Sequence, residues 1–124
     1  MKITTNISTI ELYEDGILIV RQKNDIEVTG NDLSESLSIY EKVCAGRKKK
    51  VILYIGQHVQ FSEDAVKFKA LQKQNELFSA QAVVLTDLPQ RILLNFYFNK
   101  HPSEYARQIF STEDEARAWL LLQE

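Results

Sequence analysis

Two short stretches, residues 50–55 (KVILYI) and 82–86 (AVVLT), are apolar at nearly every consecutive position. A strand with one wet face alternates polar and apolar residues, whereas a strand covered on both faces has no need to. Such doubly covered strands are characteristic of parallel sheets. Neighbouring parallel strands cannot be joined by a tight turn and need a crossover of about a dozen residues, usually a helix. Helical spacing follows each run. Ser62 with Glu63 and Asp64 reads as a helix start, and Ala65, Phe68, Leu71 and Phe78 supply its apolar face. Asp87 caps a further helix with Pro89 in its first turn; it runs to about Asn99, and Pro102 follows its end. Residues 106–110 read as a strand. Thr112 and Glu115 then form a T-x-x-E capping box, opening a last helix with Ala116, Trp119 and Leu120 inward.

The first third of the chain has a different rhythm. Residues 8–13 alternate, with Ile10 and Leu12 on one side, and Asp15-Gly16 is a hairpin signal. Residues 17–21 (ILIVR) form a second strand, apolar on both faces. Asn24-Asp25 turns the chain into a third, where Ile26 and Val28 flank Glu27, so an antiparallel meander is expected. Leu33, Leu37, Tyr40 and Cys44, with Val43 beside them, then mark a helix capped by Thr29 or Asn31 and stopped at Gly46. The predicted order is β-β-β-α-β-α-β-α-β-α: an α/β fold with a mixed sheet, antiparallel strands first and about four helices.

At 124 residues the chain fits a single domain spanning 1–124. A net charge of −2 argues against nucleic acid as a partner. The single cysteine, Cys44, excludes an internal disulfide and a cysteine-based zinc cluster. No stretch reaches the ~18 apolar residues of a membrane span, and the N-terminus lacks a signal-like apolar core. The expectation is a cytoplasmic protein without stable membrane insertion.

Four stretches carry a family resemblance: Gly16-Ile17-Leu18; residues 80–85 (AQAVVL); residues 91–96 (RILLNF) leading to Asn99-Lys100 and Pro102; and residues 109–116 (IFSTEDEA) ending in Trp119-Leu120. With the element order, they make the chain similar to the STAS-like fold of bacterial anti-sigma-factor antagonists. The closer resemblance is to the SpoIIAA-like, or STAS/SEC14-like, family of small uncharacterised bacterial proteins. The resemblance implies a non-enzymatic fold that binds protein or an apolar ligand. In the signalling antagonists a serine at the start of the second helix is phosphorylated, and the matching residue here is Ser62. The aspartate before that serine and the glycine after it are absent, and Glu63 and Asp64 would repel a phosphate, so Ser62 reads as a helix cap.

Catalytic patterns are not apparent. The four glycines are scattered, with no phosphate-binding loop, so no cofactor is expected. His58 and His101 lack metal-ligand spacing. His58, Ser62 and Asp64 have the residue types of a hydrolytic triad without an orienting buried acid or an oxyanion hole. His101 before Pro102 reads as a turn residue, and Cys44 as a small buried hydrophobe. The basic run 47–50 (RKKK) closes a helix, where cations are favoured.

The stretch 92–98 (ILLNFYF) carries more apolar bulk than one inward stripe requires. With Ile92, Leu93, Phe96 and Lys100 placed inward, Leu94 and Phe98 point away and Tyr97 sits at the border. Leu94, Tyr97 and Phe98 are therefore the candidate interface, for a protein partner or a second copy in a homodimer. The alternative is a small apolar-ligand or lipid binder, with Phe61, Phe68, Phe78, Phe96 and Phe98 lining a cavity.

Overall fold

The computed structural model describes residues 1–67 and 70–123, leaving aside the side chains of 70–73. Lys2–Thr4 (β1), Ser8–Leu12 (β2) and Leu18–Gln22 (β3) form the antiparallel start of a six-stranded sheet. Lys49–Tyr54 (β5), Phe78–Val84 (β7) and Ala106–Phe110 (β8) extend it in parallel, in the order β1-β2-β3-β5-β7-β8. Glu27–Val28 (β4) leaves this sheet and pairs in parallel with Gln60–Phe61 (β6). The antiparallel meander is thus real but shifted toward the N-terminus: β1 supplies its third strand, and 26–28 does not. Val28 instead buries with Ile7 and Ala65 in a small cluster beneath the minor sheet.

The helices are Gly30–Cys44 (α1), Glu63–Lys67 (α2), Ala70–Leu77 (α3), Leu88–Lys100 (α4) and Glu113–Leu121 (α5). Two helical stretches thus occupy the segment where one was expected. Each step from β3 to β5, β7 and β8 moves the same way across the sheet. Right-handed crossovers therefore set α1, α3 and α4 on one face, and α5, which follows the last strand, covers the other.

The α1 face buries Ile10, Leu18, Val20 and Val51 against Leu37, Tyr40 and Cys44 of α1. Phe78 lies edge-on to Tyr40 and Tyr105, at ring-centroid distances of 5.5 and 6.1 Å. Phe78 was expected on a helix but opens β7. The pairing passes from Lys49–Phe78 to Lys50–Ala80, so Ser79 is an extra residue. This bulge turns Phe78 toward α1, although Ala80 and Ala82, two and four positions on, face α5.

On the α5 face, Ala80 and Ala82 are small enough for Ala116 and Leu120 to reach the sheet, beside Ile17, Ile19 and Ile52. Trp119, expected on the inward stripe, is only half-buried. It flanks that stripe and packs its ring 5.6 Å from Phe110.

The caps follow local chemistry. Thr29 Oγ1 accepts from the Asp32 amide at 3.2 Å, and Asp32 Oδ2 accepts from the Thr29 amide at 2.9 Å. Ala45 ends α1 in the left-handed region, and Gly46 follows at φ +82°. Thr112 Oγ1 accepts from the Glu115 amide at 3.2 Å.

Candidate functional site

Asp87 starts α4 as expected: its Oδ2 accepts from the Gln90 amide at 3.0 Å, and Pro89 lies in the first turn. Two arginines then hold the helix by its ends. Arg91 Nη1 donates to Ser111 Oγ at 2.8 Å, tying the first turns to the loop after β8. Arg107 of β8 donates to the carbonyl oxygens of Phe98 and His101 and lies 4.1 Å from the centre of the Phe98 ring. A cation at these carbonyls complements the negative end of the helix dipole. Partial burial pulls the Arg107 pKa down from its ordinary value, with the charges around Tyr105 and Tyr97 opposing.

These ties fix the rotation of α4. Leu94 and Phe98 turn toward the sheet and pack on Val83, Leu85 and Ile109, with Leu53 and Ile55 beside them. The expected assignment of faces is therefore reversed. Leu94 and Phe98 are half-buried supports, whereas Leu88, Ile92, Leu93, Phe96 and Tyr97 stand between 49% and 69% exposed. Of the three candidate interface residues, only Tyr97 lies on the open side. A wheel drawn on 92–98 could not decide this, because the helix carries large apolar groups nearly all the way round. What the wheel lacks is the distant contact: Val83, Leu85 and Ile109 take up Leu94 and Phe98, and Arg107, fifteen residues from Ile92, lies over the Phe98 ring. No residue of α4 is buried.

Between α4 and the carboxyl ends of β5 and β7 runs an open groove of about 290 Å³, lined by Ile55, Leu85, Gln90, Leu93, Leu94 and Tyr97. Its lining is almost wholly apolar. Crevices at the carboxyl ends of parallel strands are where α/β sheets commonly receive ligands. The aromatics expected to line one cavity do not meet. Phe78 is in the core on α1, Phe98 lies under α4, Phe96 and Phe61 are exposed, and Phe68 lies outside the described residues.

The residue types of a triad are held in separate pairs. His58 Nδ1 lies 2.9 Å from Asp25 Oδ1. Ser62 Oγ donates to Asp64 and accepts from the Ala65 amide at 3.3 Å, so Ser62 is a helix cap in contact with its own acid. The Ser62 hydroxyl, and after it the Gly30 amide, lowers the Asp64 pKa. Cys44 is buried with Sγ 3.5 Å from the Leu77 carbonyl, and burial pushes its thiol up, the reverse of a reactive thiolate. His101 caps α4 and lies 4.4 Å from the Tyr97 ring.

A polar cluster missed in the sequence joins α5 to the sheet face that it covers. Tyr54 donates to Glu113, which also meets Arg117 at 3.2 Å and Arg21 at 3.6 Å; Arg117 pairs with Asp15. The Tyr54 hydrogen bond holds Glu113 below the usual carboxylate range, while burial and that same bond push Tyr54 up to about 12. Every charge in this cluster is answered within it, so it fastens α5 down. Only the spacing of Glu113 and Arg117, four apart on one helix, was visible in the sequence.

With this geometry in view, residues 11–122 match a family described as a domain of unknown function, DUF7793. The chain belongs to that family. Among solved structures it is similar to an uncharacterised protein of the DUF3478 family from Shewanella loihica PV-4, which has a SpoIIAA-like fold. The two share 19% identity over 95% of this chain and 98% of that one, at a TM-score of 0.66. The DUF7793 chain thus has the SpoIIAA-like fold expected from its sequence. A protein of unknown function from Arthrobacter sp. FB24 matches over 92% of this chain and 99% of that one at 16% identity; its TM-score of 0.32 supports no structural argument. No curated protein matches. Among the described residues, no helix is long and apolar enough to cross a membrane.

Proposed function

We propose that this DUF7793 domain is a non-enzymatic binding module that works through protein–protein contact at the outward face of α4. The observation that carries this reading is a helix with no buried residue and five large apolar side chains in water. Each such side chain, half to two-thirds exposed, forgoes on the order of 1–2 kcal/mol relative to burial, a cost that a partner's surface recovers. The patch is on the order of 500 Å², at the upper end of what a monomer normally exposes and in the range that is often functional. The end-on arginine ties keep α4 in place without using that face, so the surface stays available.

A second reading rests on the groove beneath α4. Its apolar lining suits a small apolar ligand, and its volume of about 290 Å³ falls just below the ~300–1,000 Å³ typical of ligand pockets. Native mass spectrometry of the chain, purified without denaturation from its own source, separates the two readings. A multiple of the chain mass, or the chain plus another polypeptide, is expected. A monomer carrying a small added mass favours the groove, and a bare monomer contradicts both.

A further inference from the structure

We infer that the end of the molecule where the parallel strands begin docks on a membrane of anionic phospholipid, held peripherally by the basic run 47–50 and the leucine pair 121–122. This surface is separate from the outward face of α4 and does not depend on the reading given to that face. Three element ends meet there. α1 stops beside the start of β7, with Cys44 Sγ 3.5 Å from the Leu77 carbonyl. β5 starts in the same row, Lys49 pairing with Phe78 and Lys50 with Ala80. α5 ends over that row, because Leu120 packs with Ala80. Leu121 and Leu122 follow it, 66% and 82% exposed.

From Lys42 to Lys50 the chain carries five cations and no acid. Lys42, Arg47 and Lys48 are exposed, and Lys49 and Lys50 are half-buried. Among the described residues, none of the five is in an ion pair. The carbonyl end of a helix amounts to about half a charge, which one cation answers, so capping α1 leaves most of this charge unused. Glu14, Glu76 and Glu104 border this end from neighbouring segments. The acids concentrate at the other end, where Asp25, Asp32, Asp64, Asp87 and Asp114 lie on segments that follow the strands. The net charge of −2 thus hides a separation of charge that turns the basic end toward an anionic surface. The leucine pair favours a membrane over nucleic acid. A basic cluster with an apolar insert supplies the two signals that peripheral attachment takes. Residues 42–50 hold no aromatic side chain on which a base could stack.

Flotation of the purified full chain with vesicles tests this. Wild type should float with vesicles of phosphatidylglycerol and phosphatidylcholine in equal parts, less so at high salt, and not with phosphatidylcholine alone. Lys48→Gln should weaken binding about fivefold, the worth of one cation at an anionic surface. Lys67→Gln, the same loss of charge at the acidic end, should leave it unchanged. Leu121→Ser/Leu122→Ser should weaken it severalfold with circular dichroism kept, since both side chains are exposed. Ile92→Glu on α4 should have no effect. The docking surface is overturned if wild type fails to float with the anionic vesicles or binds phosphatidylcholine equally well. Equal losses from Lys48→Gln and Lys67→Gln, or a leucine variant that binds as wild type does, also overturn it. So does a loss on Ile92→Glu, which moves the lipid contact to α4, or tighter binding to a DNA duplex than to the vesicles.

Discussion

Tyr40, Tyr54 and Tyr105 are three of the five tyrosines in the chain, and each is pushed up to about 12. Burial is the leading cause in all three, and at Tyr54 the bond to Glu113 adds to it. A phenol whose folded pKa is raised stabilises the fold fully below its unfolded pKa, about 10, and that contribution is lost as pH climbs toward 12. Absorbance at 295 nm should show a late phase that coincides with loss of stability. Five tyrosines ionising together near pH 10 in an intact fold would refute this. The adjacent residues Leu93 and Leu94 test the rotation of α4. In urea unfolding, Leu94→Ala should cost about 2 kcal/mol, because it empties a contact on Val83 and Leu85. Leu93→Ala should stay within about 0.5 kcal/mol. Equal costs would mean that the helix is turned differently.

At the scale of elements, α4 is held by its ends and by two inward side chains rather than by a buried stripe. Arg107→Ala removes the donor to the Phe98 and His101 carbonyls and the cation over the Phe98 ring. Amide exchange in 97–101 should accelerate severalfold, with β7 unchanged; equal protection in both proteins would show that the arginine is incidental. Most elements could be read from sequence where local chemistry decides them. The Asp87 and Thr112 caps, the Asp15-Gly16 hairpin and the doubly buried β5 and β7 all rest on neighbouring residues. Where a distant contact decides, the reading erred. Residues 26–28 look like a strand, and Glu27–Val28 are one, but they pair with Gln60–Phe61, thirty-three residues on. Phe78 continues a helical spacing, yet the Ser79 bulge and the Tyr40–Tyr105 pocket claim it for a strand. The face of α4 is set by contacts with β7 and β8, so the excess of apolar bulk in 92–98 was legible and its direction was not.

For the whole molecule, three crossovers of one hand place α1, α3 and α4 on the same side of the sheet, with α4 outermost over β7 and β8. The sheet's parallel edge is therefore covered by a helix with no buried residue, and the proposed function makes its apolar surface the one that meets a partner. Site-specific photo-crosslinking in living cells tests that claim most directly, with a benzophenone side chain placed at Phe96 in one variant and at Leu94 in another. The account predicts covalent protein adducts from position 96, abolished by Ile92→Glu, and at most intramolecular products from position 94. Adducts from 94 with none from 96 would contradict it.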